Sequence, residues 1–280
     1  MKAVYRLIRN GLCNLLALGL IASGRVRRAR KRVFSSAVVT GIYFHKPNPR
    51  LFASCIRWLI KHGYHFISAN DLFEVLYRGR KLPGGAVWLS FDDGCRQIAG
   101  DVLPVTHALR IPVTLFIPTG IIGGEGVLPW LHETPDANGS PAKNGRRDTI
   151  TVEELQRIAA YTEVTIGSHT VNHAVTTRLT PVQVGFELKE SKRSLDSWIR
   201  TDIKCFAYPE GKFDGRERPA LAEFGYTMAA TTENALITRE TDPYLVPRFS
   251  VADDIGSLEA ICNMVGLWRP TIDPFVKRLR

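Results

Sequence analysis

The chain has 280 residues, of which 45% are hydrophobic and 23% are charged, so its composition is that of a globular protein and excludes a disordered one. Its formal net charge is +10, but residues 1–35 hold nine basic residues and no acid, which leaves the remainder at +1. A nearly neutral body argues against a broad basic surface for nucleic acid. The five cysteines are scattered and include no CxxC pair, which argues against a disulfide framework and favours a reducing compartment.

The N-terminal segment is the first predicted element. Residues 11–23 form an apolar run of about 13 residues, short of the roughly 20 that cross a bilayer. At helical spacing the apolar residues share one face, and the basic run 25–32 follows at once. We expect residues 1–33 to hold the chain peripherally on an anionic membrane surface, at its cytoplasmic face. Two alternatives stay open: a signal or signal-anchor that exports the body, and a plain amphipathic helix packed on the domain.

Beyond residue 36, predicted strands and helices alternate about seven times, without a repeat or an internal linker. Strands are predicted at residues 38–44, 65–68, 86–91, 113–117, 164–167, 204–207 and 226–230, with a further segment at 245–251. Helices are predicted at residues 50–62, 68–77, 152–161, 180–199, 215–224 and 257–265, with another that ends near 109 and a long loop at 118–148. The pattern favours one α/β domain over residues 36–280, with parallel strands in a barrel or a doubly wound sheet. Functional side chains in such folds follow the carboxyl ends of the strands.

Two motifs follow predicted strands in this way. Asp92 and Asp93 come directly after strand 86–91, and His169 and His173 come after strand 164–167. Taken alone, the two aspartates are typical of an ordinary turn, and two histidines four apart are a common chance match. We expect the histidines to project from one face of a helical turn. One aspartate with two histidines leaves coordination positions open for water and substrate, as in a hydrolytic metal site, while the second aspartate can handle a proton.

These motifs resemble those of a known family. LSFDDG at 89–94 and SHTVNH at 168–173 are similar to the first two motifs of the polysaccharide deacetylases, the NodB-homology domain of carbohydrate esterase family four. CFAYPEG at 205–211 and DPYLVPR at 242–248 look like segments of the bacterial exopolysaccharide subgroup, and IYFH at 42–45 resembles its first strand. The resemblance spans about residues 38–255 and implies a distorted (β/α)7 barrel with an N-terminal amphipathic helix added here.

The resemblance also implies roles for individual residues. A divalent ion, Zn²⁺ before Co²⁺, Mn²⁺, Ni²⁺ or Fe²⁺, would be held by three ligands: Asp93, His169 and His173. Asp92 would be the general base that takes a proton from the attacking water. A backbone amide near Tyr208 and Glu210 would stabilise the oxyanion, and Glu210 replaces the family's usual tyrosine, which predicts an altered substrate pocket.

Two more departures from the family pattern, and one tryptophan, lead to further predictions. The family's usual acid is a late histidine, but no histidine follows His173, so we predict that His45, at the end of the first strand, protonates the leaving amine. Many relatives carry an arginine where this chain has Ala207, and Arg248 is predicted to supply that charge near the base. Trp130, in the long loop, is predicted to stack on a sugar ring.

Together the residues predict a metal-dependent hydrolase that removes an N-acetyl group from an amino sugar, in a bacterial polysaccharide or a lipid-linked glycan precursor. The lipid-linked form rests on the N-terminal segment. The alternatives are a catalytically impaired sugar-binding module on the same barrel, and an O-esterase or amidase. The expected partners are the glycan and the membrane surface, with no nucleic acid.

Overall fold

The computed structural model describes the backbone of residues 2–122 and 149–276, and the side chains of residues 8–122 and 149–272. The chain divides into two compact units. The first comprises Met1–Leu89, Thr232–Asp242 and Val246–Arg280, and the second comprises Ser90–Thr231 and Pro243–Leu245. Residues 1–35 therefore group with the strands and helices of the first unit, whereas the domain boundary predicted at residue 35 stays a prediction.

The first unit begins with two helices and continues into strands and crossover helices. Its helices are α1 (Lys2–Ala22), α2 (Arg25–Ser35), α3 (Pro49–Lys61), α4 (Ala69–Arg78), α9 (Ser257–Met264) and α10 (Trp268–Val276). Its strands are β1 (Val39–Phe44), β2 (His65–Ile67), most of β3 (Ala86–Phe91) and β8 (Phe249–Ser250). Strand β1 pairs with β3 and β8, and β2 pairs with β3.

The second unit begins with the last two residues of β3. Its helices are α5 (Leu103–Ala108), α6 (Val152–Ala159), α7 (Pro181–Ile199) and α8 (Glu217–Glu223). Its strands are β4 (Val113–Ile117), β5 (Val164–Ser168), β6 (Cys205–Ala207) and β7 (Met228–Ala230). They run in the order β3, β4, β5, β6, β7, and each of these pairs is parallel. The carboxyl ends of β3, β5 and β6 consequently lie along one edge of this sheet.

The described sequence explains these elements locally. All six residues of β3 are buried, as expected for a strand of a parallel sheet that is covered on both faces. Helix α6 begins at a capping box in which Thr151 and Glu154 satisfy each other's backbone amides, and α7 begins at a second one built by Thr180 and Gln183. The predicted strands between residues 38 and 230 lie within two residues of the observed ones.

Two helices were not predicted from the sequence. The basic run forms α2, and the residues after 267 form α10, although Pro270 and Pro274 argue against a helix there. All five cysteines are free thiols, in agreement with the absence of a disulfide framework. None of the helices in the described residues combines the length and the hydropathy needed to cross a membrane. Residues 123–148, most of the predicted long loop, lie outside the described part of the chain.

Candidate metal centre

Two buried aspartates mark the end of β3. Asp92 is 2% exposed and Asp93 is 1% exposed, so neither side chain is a surface turn residue. Asp93 has a backbone φ of 73°, and Gly94 follows with 63°. Two consecutive left-handed residues turn the chain sharply away from the strand, which is why a glycine follows the aspartates. The turn leaves both carboxylates inside the second unit.

Two histidines follow β5, but the expected helical turn is absent. Residues 169–175 form an irregular loop, in which Thr170 has a φ of 66° and His173 has a φ of 53°. These left-handed residues, rather than helical spacing, bring the imidazole rings together, with centroids 4.7 Å apart. The prediction of a helical turn was therefore wrong, while the prediction that the rings converge is confirmed.

Asp93 faces both imidazoles. Its Oδ1 atom lies 3.5 Å from Nε2 of His169 and 3.3 Å from Nε2 of His173. One ligand atom from each of the three residues falls within 4.8 Å of the other two. Two imidazole nitrogens and one carboxylate oxygen fit Zn²⁺ and other divalent first-row ions, and three protein ligands leave positions for water and substrate. The residues present therefore fit the predicted metal.

A backbone carbonyl fixes the tautomer of one ligand. Nδ1 of His169 lies 2.8 Å from the carbonyl oxygen of Ala207, at the end of β6. A carbonyl oxygen only accepts, so Nδ1 carries the proton of the neutral ring and Nε2 is the nitrogen left to bind a metal. This is the outer hydrogen bond that orients metal-bound histidines. Ala207 thus takes part in the site through its main-chain carbonyl.

The two histidines have opposite pKa shifts. Burial lowers the pKa of His169, but its hydrogen bond to Asp93 and the charges of Asp92 and Asp93 outweigh burial, so the net shift is upward. For His173, burial dominates, and the charge of His169 adds to it, so the pKa is lowered despite Asp93. A ring that loses its proton readily is suited to ligate a metal at neutral pH.

Glu187 is a functional residue that sequence reasoning missed. It lies on α7 and is 6% exposed. Its carboxylate accepts hydrogen bonds from the backbone amides of Val171 and Asn172, at 2.8 and 3.0 Å. It also accepts the Asn172 side-chain amide at 2.7 Å. One buried carboxylate therefore braces the loop between the two histidines. The sequence does contain one indication of this role, because Glu187 falls on the apolar side of helix α7, near Val184 and Leu188.

The segment after β6 contains the backbone amides that were predicted to contact the oxyanion. The backbone amide of Tyr208 donates to Ala230 at 3.0 Å, and its hydroxyl donates to the Tyr244 carbonyl at 3.1 Å. Pro209 has no amide hydrogen, so a backbone contact to an oxyanion from this segment falls to Glu210. The Glu210 side chain is 47% exposed and faces Arg178 at 3.7 Å. Its predicted substrate contact stays a prediction.

The other predicted residues lie elsewhere in the chain. His45 follows β1 in the first unit, with its ring 5.3 Å from that of Tyr43. Arg248 is fully buried in the same unit, with its guanidinium carbon 4.5 Å from the centre of the Tyr43 ring. Their predicted catalytic roles stay predictions. Trp130 lies outside the described residues.

Comparisons with known proteins find similarity to polysaccharide deacetylases. The profile of the polysaccharide deacetylases matches residues 79–229. YxkH of Bacillus subtilis, a provisionally named polysaccharide deacetylase, is 24% identical over 72% of this chain and 64% of its own length. The poly-beta-1,6-N-acetyl-D-glucosamine N-deacetylase of Staphylococcus aureus is 24% identical over 72% of this chain and 67% of its own length. The chain thus spans about two thirds of these relatives.

Solved structures agree on the fold. IcaB from Ammonifex degensii matches with a TM-score of 0.66 at 20% identity, covering 82% of this chain and 98% of that one. The Streptococcus pyogenes deacetylase PplD matches with a TM-score of 0.66 at 19% identity over 81% and 98%. The predicted fold class, α/β of the (β/α)7 deacetylase type with an N-terminal helix, is confirmed. The profile match covers more than half of the chain and includes both strand ends that carry the candidate metal ligands, so the chain belongs to the polysaccharide deacetylase family.

Proposed function

We propose that this chain is a metal-dependent hydrolase that removes N-acetyl groups from amino sugars in a glycan. The observation that carries the proposal is the convergence of Asp93, His169 and His173, with the tautomer of His169 fixed by a carbonyl. The S. aureus relative, a deacetylase of poly-beta-1,6-N-acetyl-D-glucosamine, supports a glucosamine polymer as the substrate class.

A divalent ion bound by these three residues would polarise the acetyl carbonyl and lower the pKa of water. Asp92, next to the ligand Asp93 and equally buried, takes the proton of the attacking water at a carboxylate oxygen. The Glu210 amide donates to the developing oxyanion. Cleavage of the carbon–nitrogen bond releases an amine that needs a proton, which we assign to the His45 imidazole, and Arg248 supplies positive charge toward the base.

The test combines metal analysis with acetate release from β-1,6-linked N-acetylglucosamine oligomers. We expect metal in the purified protein and acetate from the oligomers. Asp92→Asn should retain the metal and lose activity by at least about 100-fold, as expected for a general base. His169→Ala should lose both the metal and the activity. Asp101→Asn, at an exposed aspartate of the same unit, is the matched control and should leave both unchanged.

Other outcomes identify other functions. Metal-free protein that binds the oligomers without releasing acetate would indicate a sugar-binding module and overturn the proposal. Release of acetate from O-acetylated but not N-acetylated sugars would indicate an esterase on the same site. A lipid-linked acceptor and a position on the cytoplasmic face of the membrane remain proposals drawn from residues 1–33, and acetate release from a lipid-linked N-acetylated sugar would test the former.

A further inference from the structure

Helix α1 is attached to the first unit through its polar face. The Arg9 guanidinium forms two hydrogen bonds of 2.8 and 2.7 Å with Glu259 of α9, whose side chain is 2% exposed. The Asn10 side-chain amide donates to the Asp254 carbonyl at 2.9 Å. A charged pair with one buried partner is a specific anchor, because an unpaired buried carboxylate is costly. These contacts fix which side of α1 faces the protein.

Small and apolar residues continue this attached face toward the end of α1. Ala17 is fully buried and Leu20 is 5% exposed, and both pack in a cluster with Cys262 and Trp268. Helix α1 is therefore packed on the first unit from Arg9 to Leu20 and is not a free tether.

The opposite face of α1 is apolar and open to solvent. Its five large hydrophobic side chains are 38% to 68% exposed, and we call them the outer face of α1: Ile8, Leu12, Leu15, Leu16 and Leu18. In a soluble protein the apolar stripe of a surface helix normally faces the core. Here the attached face carries Arg9 and Asn10 along with small and apolar residues, while the large apolar side chains of the outer face point away from the protein. Contiguous exposed apolar surface of this kind marks contact with an apolar partner.

Helix α2 adds a row of positive charge directly after α1. Arg25, Arg28 and Arg32 line a cleft of about 650 Å³ together with the start of α10, and we call it the arginine cleft. All three arginines are exposed, and none forms an ion pair or a side-chain hydrogen bond within the described residues. Like charges three and four residues apart repel each other along a helix. A bound anion would relieve this repulsion.

We propose that the outer face of α1 and the arginine cleft form one docking surface for an anionic lipid bilayer. The leucines enter the boundary between headgroups and acyl chains, and the arginines meet the headgroup phosphates. A bilayer supplies apolar and anionic partners at once. A two-fold dimer through α1 does not, because α1 and α2 contact each other and the second copy would bring its own cationic α2 to the interface.

Vesicle co-sedimentation of the full chain tests the apolar half of this surface. Wild-type protein should bind phosphatidylcholine vesicles that contain phosphatidylglycerol more tightly than pure phosphatidylcholine vesicles. Leu15→Glu should weaken binding to both vesicle types by at least about tenfold, because a leucine that enters the bilayer is replaced by a charged side chain. The matched control is Leu109→Glu, at a 51% exposed leucine outside α1, which should bind as wild type does.

Charge variants test the arginine cleft. Replacing Arg25, Arg28 and Arg32 together by glutamine should weaken binding to the anionic vesicles about 100-fold, at about fivefold per residue. Replacing Lys189, Arg193 and Arg200 by glutamine changes the net charge equally and should have little effect. Inorganic phosphate should release no more protein from the vesicles than sodium chloride does at the same ionic strength.

Three results would overturn the proposal. Wild-type protein that ignores both vesicle types, or equal losses for the two triple variants, would exclude a lipid surface at this site. Release by phosphate alone would assign the cleft to a free anion. A stable dimer in solution that Leu15→Glu dissociates, without vesicle binding, would assign the outer face to a second copy. None of these outcomes depends on deacetylase activity, so failure here leaves the proposed function intact.

Discussion

At the residue scale, the candidate metal site depends on backbone conformations that are unfavourable by themselves. Asp93, Thr170 and His173 all have positive φ values, between 53° and 73°. Such conformations cost of order 1–3 kcal/mol each outside glycine and persist only where the surroundings hold them. The amide of Gly120 donates to the Val171 carbonyl at 2.8 Å, which supports the histidine loop from β4. The positions of the three candidate ligands therefore depend on residues outside the candidate metal site.

Glu187 is the residue where this dependence can be measured. In Glu187→Gln the side chain keeps its shape, but only one of its two oxygens remains an acceptor, so it can no longer accept both the backbone amides of the loop and the Asn172 side-chain amide. We expect the loop to shift and the affinity for Zn²⁺ to fall about 10- to 100-fold, as for other residues that orient metal ligands. Competition with a chelator measures the affinity, and circular dichroism checks the fold.

Glu190→Gln is the control for this prediction, because Glu190 lies on the same helix and pairs only with exposed Arg193 among the described contacts. It should bind metal as wild type does. An unchanged metal affinity in Glu187→Gln would mean that the histidine loop holds its conformation without the carboxylate, and the positioning role would be wrong.

At the element scale, the last turn of α2 rests on a glycine. A Cβ atom on Gly84, in the loop before β3, would lie 2.2 Å from the backbone oxygen of Phe34. Backbone cannot rotate out of the way as a side chain can. We therefore expect Gly84→Ala to displace the end of α2 and to lower the free energy of unfolding by about 1–3 kcal/mol, measured by urea denaturation.

The comparison for Gly84→Ala is Gly185→Ala on α7, where a Cβ would meet nothing within 4 Å. That substitution lies within a helix and should stabilise the protein slightly, because alanine is the better helix former. Equal stability changes in the two variants would show that α2 is not seated on Gly84.

The elements also show what the sequence can and cannot predict. The buried strands were predicted well because long apolar runs such as AVWLSF have few other uses, and the ligands were predicted because they follow such strands. Helix α2 was not, because six basic residues repel each other in a helix. It is helical here because Val26 and Val33 are buried and Arg30 donates to the His62 carbonyl at 2.9 Å. Those are tertiary contacts, which periodicity does not contain.

The same limit explains the histidine loop and Glu187. Spacing predicted that His169 and His173 converge, but a helical turn and a loop with left-handed residues both achieve this, and only the surroundings choose between them. An acid on the inner side of α7 indicates a buried partner without naming it. The partner is the pair of backbone amides of Val171 and Asn172, in the loop after β5, and the sequence does not specify how that loop lies against α7.

At the scale of the whole molecule, the net charge of +10 comes from one end of the chain. The sequence predicted an amphipathic helix there but not its orientation, because an apolar stripe indicates a direction and not which side the protein occupies. The structure places the polar side inward through Arg9 and Glu259. Residues 1–33 are thus part of the packing of the first unit as well as a candidate membrane surface, which changes how a truncation should behave.

Deleting residues 1–33 should destabilise the first unit in addition to abolishing membrane binding. It removes four buried apolar side chains from their neighbours: Ala17, Leu20, Val26 and Val33. At about 1.5–3 kcal/mol for each large buried side chain, the loss should be at least about 3 kcal/mol. Urea denaturation of the truncated chain against the full chain measures this loss. Leu15→Glu, which alters only the outer face, should keep the stability of the full chain and lose only vesicle binding.

The truncation should also change how stability depends on pH, through Glu259. Burial raises the pKa of this carboxyl above its ordinary 4.5, and Arg9 opposes the shift. Without Arg9 the pKa should rise further, so the protonated form is favoured in the folded state. The protonated Glu259 carboxyl then stabilises the folded state below pH 4.5, and this contribution is lost as the pH rises through the folded-state pKa of Glu259. The deficit of the truncated chain should therefore be larger at neutral pH than in acid, whereas a deficit independent of pH would mean that Glu259 becomes solvated once α1 is gone.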